Sequence, residues 1–477
     1  VARARFHLDE STSWQAALDI VEGRRFPALG PSISGTEASV PGPLFYYVMA
    51  LPQALTRDPL AGGAFVAALG LGAAFALSEA VRRAWGERAG LLFLCCAALL
   101  PWPVVLGDRI WSANLLFPAS AAALCCLLRL VERPSRPAAG LLAFLLVAGF
   151  QVHLTWLHLW VLTLAAVAVL RPRLPRAALA AGAAAGLLCY VPYLVLEARD
   201  GFRNTRRLLG PAPGTWPWSA LPEQMADFLG LATTDVSYLV GQGYWSGFHR
   251  LAFWAEGGRA ATTAFFYGAA ALGWLAFASS WGLCLAGALL LARRGRRDAG
   301  SAGARALVLA FVTAPLAVVL VFALTRKAGY AHYVAALGPV ALLAPTAALE
   351  RLARSARGAW AAALCVAALT GGSWLSLAGH YRVDGIHSLR VQKPAVDFVL
   401  ARSGGRPFVL ALPFPHGHAA SYGALARRWR QAPWRAAPQA DQAFTVLPSP
   451  GPLLPARAGT VAEVLELDDP AVVHTRR

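Results

Sequence analysis

Apolar residues along the chain come in long blocks separated by short basic connections. Blocks near the roughly 20 residues needed to cross a hydrocarbon core lie at 60–81, 89–107, 110–129, 137–152, 153–170, 177–197, 273–292, 306–325, 332–350 and 358–378, and a shorter one covers 43–56. The connections 82–88 (RRAWGER), 129–136 (RLVERPSR), 171–176 (RPRLPR), 293–305 (RRGRRDAGSAGAR) and 351–357 (RLARSAR) are rich in arginine. Cytoplasmic loops carry the excess of Lys and Arg, and counting spans between these five puts all of them on one side. The other side receives 1–41, 107–111, the turn at 151–154, the loop 199–260, 326–331 and everything from 379. Parity then excludes 43–56 as a span in addition to 60–81. That segment is expected to dip into or lie along the interface, as Tyr46, Tyr47 and Pro52 allow. The pattern predicts an all-α polytopic membrane protein of about 10–12 transmembrane helices.

The polar pattern divides the chain further. Residues 1–41 read as a first extracytoplasmic loop with an interfacial helix, and 42–380 as the transmembrane domain with its extracytoplasmic loop 199–260. Residues 381–477 read as a small α/β extracytoplasmic C-terminal domain. In it a helix is expected at 391–403, a buried strand at 407–412 (PFVLAL), a second helix at 419–430 and a Pro-rich loop at 447–455. No internal repeat is visible.

Composition agrees with residence in lipid: 57% of residues are hydrophobic, 14% are charged, and the mean hydropathy is +0.50. The net charge of +18 is spread through short loops, where it sets topology, so nucleic acid is not an expected partner. The basic residues are almost all arginine; Lys327 and Lys393 are the only lysines. That Arg and Ala bias suggests a GC-rich bacterial genome, and with it the bacterial inner membrane. All seven cysteines lie in apolar segments and read as small buried hydrophobes. The polar first ten residues show neither a signal peptide nor a first span, so a span upstream of Val1 is expected.

Candidate chemistry gathers on the outer side. Asp9-Glu10 precedes an amphipathic stretch (Trp14, Ala17, Leu18, Val21). It reads either as an acidic pair facing a lipid headgroup or as helix capping, with Asp9 or Ser11 as cap and Glu10 favouring the dipole. Asp108-Arg109 stands in the next outer turn, ahead of Trp111 and Asn114, either as a surface ion pair or as part of a site shared with Asp9. His153 and His158 flank a third outer turn, where ionisable groups at membrane depth point to function and contact with water or headgroups is the structural alternative. Arg199, Arg203, Arg206 and Arg207 oppose the positive-inside trend, which calls for an anion: a substrate phosphate or anionic headgroups. Arg326-Lys327 and His332-Tyr333 flank a late span and suit a phosphate clamp, although Tyr333 also fits the aromatic belt.

In order and sidedness these pieces resemble the polytopic GT-C glycosyltransferases, in particular the family of the lipid A aminoarabinose transferases and protein O-mannosyltransferases. The resemblance rests on Asp9-Glu10, on Gly42-Pro43-Leu44 with Tyr46-Tyr47, on Asp108 with Trp111 and Asn114, and on Arg326, Lys327, His332, Tyr333 and Pro339. It covers roughly 6–350; the tail adds nothing to it. It implies an inverting transfer from a polyprenyl-phosphate sugar donor to a lipid, glycan or protein acceptor on the extracytoplasmic face, without a cofactor or a required metal. Asp9 is then implied to be the base and Asp108 its helper. Arg326, Lys327 and Tyr333 are implied phosphate binders, together with Glu10, Tyr46, Arg109, Arg203, Arg206, Arg207 and His332 around the substrate, and with His153 and Asn114 behind them. Gly42 stands where some members place a phosphate-binding Lys, and the outer arginines are candidates to replace it. The rival readings are an envelope-polymer ligase or polymerase using a diphosphate-linked donor, and a lipid or sugar transporter. Transporters favour midplane ionisable residues and repeated halves.

Overall fold

A computed structural model describes residues 6–33, 36–210, 218, 221–234, 263–295, 301–325, 331–383, 388–411, 418–436, 440–448, 460–466 and 470–476. The apolar blocks become helices. Among the described residues six are long and apolar enough to cross a bilayer: Pro59–Trp85, Ser112–Glu132, Leu275–Arg293, Ala302–Thr325, His332–Leu352 and Ala356–Leu375. The pair Arg176–Leu188 and Val191–Arg199, bent by 47°, makes a seventh. Pro192 sits at the start of its second half, where it removes a donor and crowds the preceding turn. Arg136–Gln151 and Leu154–Leu170 are shorter, and Glu87–Leu99 ends at Pro101. The chain is an all-α polytopic membrane protein with a small mixed α/β tail.

Large apolar side chains stay exposed along these helices, among them Leu71, Phe75, Leu164, Leu187, Leu316 and Leu364. A water-soluble surface rarely carries such a belt, whereas lipid tails solvate it. Inside, small residues let backbones approach: a Cβ on Gly182 would overlap the Gly140 carbonyl, as in close helix pairs within membranes. The basic connections meet at one end. Arg88 Nη1 donates to the Ala353 carbonyl at 3.2 Å, and Gly303 packs against Glu132 and Ala84, so 82–88, 129–136, 301–305 and 351–357 share that end.

The opposite end is built on helix α1 (Leu8–Val21) and helix α2 (Leu44–Gln53). Trp14 is fully buried, and its indole N–H reaches Gln53 Oε1 at 3.1 Å and the Arg57 carbonyl at 3.2 Å. Ten residues are too few to span, so α2 is no crossing helix, and its Phe45, Tyr46 and Met49 turn towards α1 in one buried cluster.

The tail supplies the other half of that cluster. Its helices Leu389–Ser403 and His418–Ala424 fall where the polar pattern put them, and β1 (Val409–Ala411) forms within the expected strand. Three further strands escaped the sequence reading: β2 (Gln442–Pro448), β3 (Thr460–Glu466) and β4 (Pro470–Arg476). The sheet order is β1-β2-β4-β3, with β1 parallel to β2 and the other pairs antiparallel. Val396, Val399, Phe408, Tyr422 and Phe444 pack in one cluster with Phe6, Trp14, Leu18 and Phe45. Polar ties reinforce this: Gln392 Nε2 to the Phe6 carbonyl at 2.7 Å, Lys393 to Asp58 at 2.6 Å, and Arg428 to Asp19 at 2.6 Å and Glu22 at 2.9 Å. The tail therefore holds α1 in place.

Candidate active site

Helix α1 begins at Leu8 with His7 as its N-cap residue. Glu10, three residues on, turns back to accept the His7 N–H at 2.9 Å, the acidic half of a capping box. The capping role expected of Asp9 or Ser11 thus belongs to Glu10, and the Ser11 hydroxyl donates to the Leu8 carbonyl instead. Consecutive helical residues point about 100° apart, so Glu10 is buried while Asp9 is exposed. Asp9 lies near Tyr46 of α2. Burial pushes the Tyr46 phenol up to about 12; the Asp9 charge adds to that rise and Arg25 opposes it.

Glu10 meets the second outer turn. Arg109 Nη1 lies 3.6 Å from Glu10 Oε1, and Arg109 Nε lies 3.4 Å from Asp108 Oδ1. The side chains of Arg109, Glu10 and Asp108 are 7%, 5% and 6% exposed, so this is a buried ionic cluster and not the surface pair that the sequence left open. The Arg109 guanidinium also stands over Trp111, 5.9 Å from the ring centroid. The Arg109 guanidinium thus ties the start of α1 to the second outer turn through two buried carboxylates.

Aromatic contacts continue the cluster. Trp111 packs edge-on against His332, with centroids 4.7 Å apart. His332 contacts His153 at 5.9 Å and Tyr333 at 4.3 Å, and His153 contacts Tyr333 at 6.2 Å. The Thr155 N–H donates to His153 Nδ1 at 3.3 Å, and the Thr155 hydroxyl is 2.8 Å from the same nitrogen. This orients the ring and leaves Nε2 to carry the proton of a neutral imidazole. His158 differs: its Nδ1 is tied to the Thr155 carbonyl at 2.6 Å, within the turn's own framework. Asn114 is fully buried; its Nδ2 is 3.5 Å from the Val105 carbonyl, and its Oδ1 has no partner among the described residues.

Four stretches far apart in sequence, 9–10, 108–114, 153–155 and 332–333, thus converge at the end of the bundle opposite the basic connections. The helix Arg203–Leu209 also reaches this end. Asn204 exchanges two hydrogen bonds with the Ser39 backbone, at 2.7 and 3.0 Å, and Arg207 pairs with Glu37 at 2.7 Å. Arg203 and Arg206 are exposed. Arg326 and Lys327 lie outside the described residues.

Two residues went unnoticed in the sequence. Gln151 is fully buried, neither amide atom has a partner among the described residues, and it packs on Gly42. A Cβ at Gly42, whose φ is +111°, would overlap the Gln151 carboxamide, so no lysine fits there without displacing Gln151. Glu197, an acid at the end of the apolar block 177–197, accepts the N–H groups of Asn204 at 3.0 Å and Thr205 at 2.7 Å. A polar residue within a membrane block was the available signal for both.

No protein-family model matches the chain, and no curated protein does. Among solved structures it is similar to ArnT from Cupriavidus metallidurans in the apo state, at 13% identity and a TM-score of 0.54, covering 99% of this chain and 95% of that one. It is similar as well to the same enzyme bound to undecaprenyl phosphate, at 12% identity and a TM-score of 0.54, covering 99% and 94%. The chain has the fold of the GT-C glycosyltransferases. The match runs through the tail, which the sequence resemblance had left out.

Proposed function

We propose that the protein is a membrane glycosyltransferase that moves a sugar from a polyprenyl-phosphate donor to a lipid, glycan or protein acceptor on the extracytoplasmic face of the bacterial inner membrane. The observation that carries this reading is the convergence of Asp9, the Glu10–Arg109–Asp108 cluster, His153 and His332–Tyr333 in a chain with a GT-C fold. ArnT in its undecaprenyl-phosphate complex, a structural neighbour, supports a donor of that chemical class.

In this reading the exposed Asp9 carboxylate takes the acceptor's O–H or N–H proton as the acceptor atom bonds to the anomeric carbon. The bond from that carbon to the phosphate oxygen breaks on the opposite side, giving inversion and a free polyprenyl phosphate. Asp108 and Glu10 hold Arg109, and Arg109 in turn fixes the start of α1, which keeps Asp9 at a defined distance. Arg326, Lys327 and Tyr333 stabilise the charge on the leaving phosphate. The reaction needs no cofactor.

Purified protein is incubated with a panel of polyprenyl-phosphate sugars and acceptors, and released polyprenyl phosphate is measured. One donor should support turnover, and Asp9→Asn should reduce it by about 10²–10⁴-fold while changing thermal stability little, because Asn keeps the size and much of the hydrogen bonding of Asp and Glu10 supplies the cap. Parental turnover in Asp9→Asn removes the base from the mechanism, and no release from any donor removes the donor class.

A further inference from the structure

The bent pair Arg176–Leu188 and Val191–Arg199 leads into a surface that the proposed reaction does not use. On its second half Val191, Leu194 and Val195 are exposed, an apolar face of the kind acyl chains cover. Next in the chain are Arg199, Arg203 and Arg206, all exposed, and none forms a salt bridge among the described residues. Phe202 and Leu209, 52% and 80% exposed, flank these cations. Asp200 is the one acid between them. This vertical order, apolar side chains below and guanidiniums at their top with further apolar anchors beside them, matches the depth profile of a bilayer from acyl chain to headgroup.

The surface is also rigidly built. Glu197, buried beneath it, accepts the N–H groups of Asn204 and Thr205 and the Tyr193 hydroxyl at 3.3 Å, while Tyr193 and Thr205 share a hydroxyl contact of 2.8 Å. Asn204 pins the helix to the backbone of Ser39. Arg207 is engaged by Glu37, which leaves the other three arginines to face outward. The pinned backbone holds the three arginines at the boundary, so pairing with a phosphate costs side-chain freedom alone.

We propose that Arg199, Arg203 and Arg206, with the exposed Phe202 and Leu209, form a docking surface for the phosphate headgroup of an anionic membrane lipid. The occupant is a bilayer lipid and neither the sugar donor nor the acceptor, so the proposal stands independently of the glycosyltransferase reading. Charge complementarity selects the lipid class. Three outward guanidiniums with one exposed acid, Asp200, among them favour an anionic headgroup over a zwitterionic one, whose own ammonium would be repelled.

The full-length protein in lipid nanodiscs is treated with phosphatidylglycerol or phosphatidylcholine carrying a photoreactive headgroup, and crosslinked peptides are read by mass spectrometry. The peptide covering 199–209 should label with the phosphatidylglycerol probe in preference to the phosphatidylcholine probe. At about fivefold per cation, Arg199→Gln/Arg203→Gln/Arg206→Gln should lower that labelling by on the order of 100-fold. Labelling of 82–88, at the other end of the bundle, should be unchanged and reports that the variant is folded. If the variant does not fold, the parent alone decides: raising the ionic strength must reduce labelling of 199–209, since exposed charges are screened. Equal labelling by the two probes, labelling that ignores both the substitutions and salt, or displacement of the probe by a polyprenyl phosphate at equimolar concentration overturns the proposal.

Discussion

Replacing Arg109 by Met tests whether the outer end of the bundle is organised by a buried ionic cluster. Methionine keeps the length and most of the apolar contact of the stem but removes the guanidinium that lies 3.6 Å from Glu10 and 3.4 Å from Asp108. Both carboxylates then remain in a place where their side chains are 5% and 6% exposed. Removing one partner of a buried pair costs about 3–5 kcal/mol, because the charge left behind has lost its water without compensation. A solvent-exposed pair costs no more than about 1 kcal/mol. The two cases are therefore separable. Thermal unfolding of the detergent-solubilised protein, with Glu10→Gln and the double variant completing a cycle, should show Arg109→Met as the most damaging change. The double variant should recover part of the loss, since Gln leaves no uncompensated charge on α1. If Arg109→Met costs under about 1 kcal/mol and the double variant recovers nothing, the cluster does not hold α1 and Arg109 has no positioning role.

Gly42→Ala should destabilise the protein by about 2–4 kcal/mol, from a side chain at φ +111° and overpacking against Gln151; adding Gln151→Ala should return roughly half, and parental melting of the single variant would disprove the contact. Single cysteines at 9 and 26, both exposed, should react with an impermeant reagent from the side opposite to cysteines at 86, 133 and 354. Labelling of both sets from one side would overturn the arrangement of the two ends.

The helical character of the apolar blocks was legible because the bilayer imposes few choices. An apolar block must be helical, since lipid satisfies no backbone group, and arginine-rich connections stay on one side. Arg88 against Ala353 and Gly303 against Glu132 bring four of those five connections to one end. The tail obeys no such constraint. Its helices carry a periodic apolar face, so Leu389–Ser403 could be read, but β2 to β4 are ordered by pairing partners that local pattern does not specify. The shared cluster of Phe408, Tyr422 and Phe444 with Trp14 and Phe45 joins the two ends of the chain. No local pattern reports so distant a contact.

That Asp9-Glu10, Asp108-Arg109, His153 and His332-Tyr333 would share one end was legible, and their division of labour was not. Asp9 and Glu10 look interchangeable in sequence, and one helical step separates an exposed carboxylate from a buried one. The same step assigns the cap and the Arg109 contact to Glu10, so the capping role that the sequence had offered Asp9 falls to its neighbour. Asp108 and Arg109 change meaning in the opposite direction: adjacent opposite charges in a turn suggest a surface pair, and burial makes them the support of α1. Gly42 shows the remaining limit. Its place in the Gly-Pro-Leu stretch raised the question of a missing lysine, and only packing against Gln151 explains why glycine stands there. What the sequence carries is the identity of the polar groups committed to one face. Which of them bears structural strain and which meets substrate depends on a helical phase and on contacts across more than three hundred residues.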